Sequence, residues 1–437
     1  MISIQNKFKS CGLLFIAAIA VLSACNKEPE QFADSVPVAP SGISLGETIA
    51  ANANDSLYYR LIVKAGMVPA ITNKTTTLTM FVPDNNAMRL FISALSGGVI
   101  PPNAPDAVFS NFIQTTIPAA TAAAIVSYNI TPQALPSSKI PGTFPNFQYP
   151  SILNPAPALS ALLRLTTFPS TRNGAWVNNI PIATADVTAV NGIIHQTAFL
   201  VTPPSKYLWE RINTDVGLTY FKAAIIRADS GVAPTSATSL IGALNNIGAN
   251  LTVFAPTDAA MQAALTGAIY QGVLPLVTQQ LTAAYIGAGL TAAQAAAKAA
   301  IDAPPIALTQ ATALASTPAV FQNTALFGVL TAQTVKGLVV YHILGSRAFT
   351  NNFPTTATAY PTLLNGAIPV HPGVTLQATF GAPFVTAATV KGAINPTASN
   401  IIINALPLLP EPFGTSDQHY LNGVLHKIDQ VLIPLPL

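Results

Sequence analysis

Charge is scarce in this sequence. Its 437 residues hold 19 Lys or Arg and 16 Asp or Glu, 8% of the chain, where soluble domains average about 25%. No Lys/Arg cluster supplies the phosphate-neutralising surface that nucleic-acid binding needs, and the formal net charge is only +3, so no nucleic-acid partner is expected. Histidine is rare too. No two of the five stand at i, i+4, the acids are scattered, and no Asp-rich calcium loop exists, so no metal site is expected. A Gly-rich phosphate loop and a Gly-x-Ser-x-Gly elbow are both missing, which removes the usual marks of a nucleotide-dependent enzyme or an α/β-hydrolase, and no cofactor is expected. Hydrophobic residues make up 50%, which excludes intrinsic disorder.

Cysteine is almost absent: Cys11 and Cys25 are the two. Lys7 and Lys9 form a basic start, Gly12 to Leu22 is an apolar run too short to span a bilayer, and Ser23-Ala24 places small residues before Cys25. Leu22-Ser23-Ala24-Cys25 resembles a bacterial lipobox. That resemblance implies a signal peptide over 1–24, lipid on Cys25, and a tether over 25–44 rich in Pro, Ser and Ala. Cleavage would leave Cys25 alone, without a disulfide partner. The expected place is the outer membrane, through a lipid anchor. Lys27-Glu28 resembles a bacterial surface-export signal and favours the cell surface over a periplasm-facing anchor. No later stretch reads as membrane-spanning; Leu281 to Ile301 carries Gln294 and Lys298.

The body repeats itself. Leu78–Met88 (LTMFVPDNNAM) recurs as Leu251–Met261 (LTVFAPTDAAM), Ile125–Ile130 (IVSYNI) as Leu338–Ile343 (LVVYHI), and Asn191–His195 (NGIIH) as Asn422–His426 (NGVLH). The spacing grows from 173 to 213 to 231 residues (78 to 251, 125 to 338, 191 to 422), so the second copy carries extra residues before its second and third motifs. The runs Thr252–Ala260, Val340–Leu344 and Asn422–Pro434 resemble the three diagnostic segments of the fasciclin domain, and the first copy follows them more loosely. The resemblance implies an α+β fold with two fasciclin-like domains, 45–204 and 205–437, each a wedge-shaped β-sandwich with flanking helices.

The residues support this reading independently. Leu78 to Val82 and Leu251 to Ala255 are apolar, β-rich runs stopped by Pro and read as strands. Thr257 or Asp258 reads as the N-cap of the helix that follows, as does Asp84 or Asn85 in copy one. Lys336 to Leu344 reads as a buried helix end or strand. Val424 to Ile433 alternates as a terminal strand, entered by a tight turn at Asn191-Gly192 and Asn422-Gly423.

Candidate site residues are few. His195 and His426 occupy equivalent places as bases, ligands or core histidines bonded to backbone carbonyls, the last being favoured. Tyr341-His342 matches the Tyr-His motif of the fasciclin family, linked there to adhesion and to fold integrity; copy one has Tyr128-Asn129. Asp417 and His419 suggest a hydrolase only if a Ser joins them. Residues 259–297, 304–335 and 348–390 lack any Asp, Glu, Lys or Arg. They read as core extensions or as an uncharged contact surface anchored by Tyr270, Tyr285, Phe349, Phe353 and Tyr360. The expected function is non-enzymatic adhesion or extracellular binding of a matrix or neighbouring-cell protein or glycan. The alternative is a polysaccharide- or polymer-binding or -processing lipoprotein of nutrient uptake.

Overall fold

The computed structural model describes residues 41–381, 384–404 and 414–435. The expected signal peptide, Cys25 and nearly all of the tether lie outside the described residues. From Gly42 onward the chain packs as one unit.

The first half begins with α1 (Leu45–Ala51), capped reciprocally by Ser44 and Glu47. Next come α2 (Ser56–Lys64), α3 (Val68–Thr72), β1 (Leu78–Pro83), α4 (Asn85–Leu95), α5 (Asp106–Thr115), α6 (Ala119–Tyr128) and β2 (Ile130–Thr131). A short pair, β3 (Tyr149–Pro150) with β4 (Thr166–Thr167), leads to β5 (Pro169–Ser170), β6 (Trp176–Val177), β7 (Ile180–Ala189) and β8 (Gly192–Thr197). The main sheet runs β2-β1-β8-β7-β6-β5. Its centre joins β1 and β8 in parallel, Leu78 opposite Gly192 through Pro83 opposite Thr197. Strand β1 is buried on both faces. Met80 and Val82 meet the helices through Tyr58, Leu61, Met88, Ile92 and Phe109, while Phe81 points the other way, to Tyr128, Val177 and Ile180.

The second half repeats the plan with α7 (Leu208–Thr214), α8 (Thr219–Ala228), α9 (Leu240–Leu244), β9 (Leu251–Pro256), α10 (Asp258–Gly287), α11 (Ala292–Leu314), α12 (Ala332–Tyr341) and β10 (Ile343–Leu344). Strands β11 (Thr358–Tyr360), β12 (Val374–Gly381), β13 (Phe384–Lys391) and β14 (Ser399–Asn400) form an antiparallel sheet in that order. It faces a second sheet, β10-β9-β16-β15, built with β15 (Gln418–Tyr420) and β16 (Gly423–Ile428). Phe254, Leu344, Leu376, Val390 and Ile428 fill the space between them, so the uncharged run 348–390 supplies much of a core sheet. The fold is α+β.

Three details differ from expectation. The terminal strand stops at Ile428 rather than Ile433, because the Leu432 N–H turns to His342 Nε2 (2.9 Å) instead of a neighbouring strand. The tight turns are Val190-Asn191 and Leu421-Asn422, since Ala189 pairs with Gly192 and Tyr420 with Gly423. The extra residues of copy two also build one helix long and apolar enough, by length and composition, to cross a membrane: α10. Reading 281–301 alone missed it, since that window straddles the turn between α10 and α11. These helices pack together as a hairpin. Ala295, Ala299, Ala303, Ala307 and Ala311 recur every fourth residue, all fully buried, so they form one stripe on α11. Ala303 and Ala307 meet Val277 and Leu281 of α10. Leu276, Ile286, Ile301 and Leu308 point outward.

The glycines of the turns are there for space. A Cβ on Gly192, at φ +152°, would lie 1.9 Å from the Leu78 carbonyl oxygen, and one on Gly423 would lie 2.4 Å from that of Leu251. Gly192→Ala and Gly423→Ala should each cost at least about 2 kcal/mol, read as a lower denaturant midpoint. An unchanged midpoint would refute the close approach of the two parallel strands.

Candidate functional site

The motif residues of the two halves occupy matching positions and make matching bonds. Asn191 Oδ1 accepts the Leu45 N–H that opens α1 (2.7 Å), while its Nδ2 donates to Ile71 O and Asn73 O. Asn422 treats Leu208 N–H (3.0 Å) and Leu244 O (2.8 Å) the same way. Each asparagine therefore ties the start of one helix to the end of another, satisfying groups that helix termini leave unpaired. Thr257 is the N-cap of α10, accepting from Ala260 N–H. The Asp258 carboxylate instead reaches α8, accepting from Tyr220 N–H (3.0 Å) and the Thr219 hydroxyl (2.7 Å). In copy one Asp84 is the cap and Asn85 accepts from Leu57 N–H.

His195 and His426 are fully buried. Nε2 of His195 donates to Leu135 O (2.8 Å) and its Nδ1 accepts from Asp186 N–H (3.3 Å). Nε2 of His426 donates to Ala348 O (2.9 Å) and its Nδ1 accepts from Asp417 N–H (3.1 Å). Both rings stack on the phenylalanine opposite them in the paired parallel strand, Phe81 of β1 or Phe254 of β9. Sequence reasoning missed the partner acid Asp186. Asp186 and Asp417 each sit in the left-handed backbone region, at φ 62° and 52°, five residues before the Asn-Gly pair. Their carboxylates hold Ser137 and Thr350, accepting from the N–H and hydroxyl of each. That common spacing, Asp-x4-Asn-Gly in both copies, was the available signal.

Asp417 and His419 do not converge on one site. Asp417 faces Thr350 and His426, whereas His419 Nε2 lies 2.6 Å from Arg347 Nη1. A guanidinium only donates, so that ring nitrogen is an acceptor already engaged. Burial first, then the Arg347 charge, holds the His419 pKa well below the usual imidazole range. His419 Nε2 is thus committed as an acceptor from Arg347 and is not free to take a proton from a serine. Arg347 itself is drawn down to about 10 by burial and is satisfied by Asn250 Oδ1 and the carbonyls of Tyr420 and Leu421.

Arg347 opens the segment that joins the halves. Phe349 and Phe353, anchors only under the contact-surface alternative, are fully buried, as the core-extension reading has them; Tyr270, Tyr285 and Tyr360 remain partly exposed. Phe349 packs on Phe168, and Phe353 on Phe144, both from the first half. Between them Asn351 Nδ2 donates to Asn178 O, Asn352 Nδ2 to Thr143 O, and Ser170 Oγ to Asn352 Oδ1. Asn173 Nδ2 returns bonds to the carbonyls of Asn351 and Phe353. The His426–Asp417 clasp grips Ala348 and Thr350, and so seats this plug.

Tyr341 and His342 are equally committed to the interior. The Tyr341 hydroxyl donates to Gly373 O (2.6 Å) and accepts from Ala393 N–H (2.8 Å). Tyr128 OH donates to Thr166 O (2.9 Å). His342 Nδ1 donates to Leu338 O (2.8 Å) and its Nε2 accepts from Leu432 N–H. At the corresponding place Asn129 Nδ2 donates to Ile125 O and Val201 O, so the second bond runs in the opposite direction.

Residues 54–202 match the model of the Fasciclin domain. Over that span the α+β architecture is the fasciclin fold. No curated protein matches the chain. Among solved structures it is similar to a FAS1 domain pair from the insect cell adhesion molecule fasciclin I, at 14% identity and a TM-score of 0.29, over 87% of this chain and 96% of that one.

One cleft stands apart from the motif residues. About 560 Å³ in volume, it lies between α8 and residues 318–327. Among the described residues no group of three or more His, Cys, Asp or Glu is placed to hold a metal ion.

Burial pulls the His342 pKa down to about 4. Its folded value lies below the unfolded one near 6.5, so its contribution is complete above about pH 6.5 and is lost as pH falls toward 4. Asp55, raised by burial to about 6, acts in the opposite sense over part of that window. His342→Ala should cost about 1–3 kcal/mol at pH 7 and flatten the loss of stability from pH 6.5 to 4.5, by up to about 1.4 kcal/mol per pH unit. Denaturant midpoints at the two pH values measure both effects; an unaltered pH slope would contradict the neutral, doubly bonded ring.

Proposed function

We propose that the protein is a non-enzymatic adhesion or extracellular binding protein with two fasciclin-like domains, held to the bacterial outer membrane by lipid on Cys25 and facing the cell exterior. The observation that carries this reading is the fasciclin match at 54–202, doubled by the second half. That half repeats the central parallel strand pair, the buried histidine, the left-handed aspartate and the asparagine clamp. Fasciclin domains are found in cell-adhesion proteins and are typically non-enzymatic. The partner is a protein or glycan of the matrix or of a neighbouring cell. The nutrient-uptake processing alternative would need His419 free to act as a base, and Arg347 occupies it.

Cells carrying the full chain should bind matrix-protein or glycan surfaces above cells lacking it. Cys25→Ser should release the protein from the membrane fraction and abolish that binding. Equal adhesion with and without the protein would overturn the reading, and membrane retention of Cys25→Ser would overturn the anchor.

A further inference from the structure

In a chain with so few charges, the cleft beside α8 is notable for the cations at its walls. Thr219, Lys222, Ala223, Ile226 and Arg227 fall at i, i+3, i+4, i+7 and i+8, one face of a helix. Pro318, Phe321 and Phe327, from the uncharged stretch 304–335, form the opposite wall, and Asn213 to Val216 close one end.

The two cations are held in place. Lys222 Nζ donates to Asn213 O (3.2 Å). Arg227 Nε donates to Leu330 O (2.9 Å), and its guanidinium carbon lies 3.7 Å from the Phe327 ring centroid. The stacking and the Nε bond fix the guanidinium plane, leaving its Nη pair as a two-pronged donor. One acid lines the cleft, Asp215, and it is more than neutralised. Its carboxylate is 2.7 Å from Arg211 and 2.6 Å from Lys427, and it accepts the Gly217 N–H. The cleft therefore carries net positive charge with no free carboxylate to compete for it.

The corresponding helix of the first half, α2, has Tyr59 and Lys64 at these places, and Lys64 Nζ donates to Gln114 O. The paired cations belong to the second half alone. The volume suits a small ring-sized group. Asn213, Ser230 and Gln322 add neutral hydrogen-bonding residues suited to hydroxyls, and Ile226 and Phe327 add partly exposed apolar surface. Val216 at the rim is 89% exposed, so a bound unit can continue outward as a chain.

We propose that this cleft binds a uronate unit of an acidic polysaccharide, with Lys222 and Arg227 pairing its carboxylate and the polar lining taking its hydroxyls. The proposal rests on the extracellular-binding reading and names the class of partner.

Calorimetric titration of the full chain with polygalacturonate tests it, alongside the same polymer with its carboxyls reduced, a sulfated dextran and poly-glutamate. Wild type should bind polygalacturonate, more weakly as salt rises, and should not bind the reduced polymer. Lys222→Gln/Arg227→Gln should weaken binding by about tenfold or more with its melting temperature unchanged. Should the double variant melt early, Lys222→Gln alone, the more exposed change, is read instead and should still weaken binding severalfold. Equal binding by a folded variant, equal binding of the reduced polymer, or a preference for sulfate or poly-glutamate would each overturn the assignment. A wild type that supports adhesion yet ignores polygalacturonate overturns the cleft proposal alone, whereas loss of adhesion itself overturns the broader reading.

Discussion

His426 joins three segments that lie far apart in the chain. It accepts from Asp417 N–H, donates to the Ala348 carbonyl and stacks on Phe254. A buried imidazole can do this only while neutral, with one nitrogen donating and the other accepting. Burial lowers its pKa accordingly. Because Ala348 directly precedes the plug 349–353, the ring fixes both the core of its own half and the surface presented to the other. His195 makes the same bonds in the first half, but the loop it holds, Leu135 to Ser137, does not enter the other half's core. One device thus serves in one copy to close a core and in the other also to join two cores.

The junction explains how a charge-poor chain builds a specific interface. Its polar contacts are amides, hydroxyls and carbonyls: Asn173, Asn351, Asn352 and Ser170. Burying paired neutral groups avoids the large desolvation cost of buried ions. The exception is Arg347, and neutral acceptors surround it. Elsewhere in the second half, charge is spent beside α8, where Arg211, Asp215 and Lys427 form a compact ion group next to Lys222 and Arg227. The scarcity of charge in the composition thus becomes a division of labour between a neutral junction and a cationic cleft.

Much of this was legible in the sequence because it repeats. The strands at Leu78 and Leu251, the Thr257 cap and the equivalence of His195 with His426 all follow from local pattern read twice. What stayed hidden depends on contacts between the copies. Phe349 and Phe353 resemble exposed anchors in a stretch without charge, and only the partner half reveals that they are buried. Asp417 and His419 suggested chemistry because residues two apart share a face of a strand, yet Asp417 sits in the left-handed region just before β15 and turns its carboxylate to Thr350, away from the Arg347 that His419 meets. The alanine stripe of α11 has no charge or aromatic marker, so period four alone would have had to reveal it. The cleft pairs a helix face with a wall about a hundred residues away, a separation that no local motif records.

The two halves form one cooperative body, joined through residues 347–353 and the His426 clasp. Scanning calorimetry of the full chain measures this. A single endotherm, with matching calorimetric and van't Hoff enthalpies, is the expected result, and Phe349→Ala should divide it into two. Two resolved endotherms in the unaltered protein would contradict it.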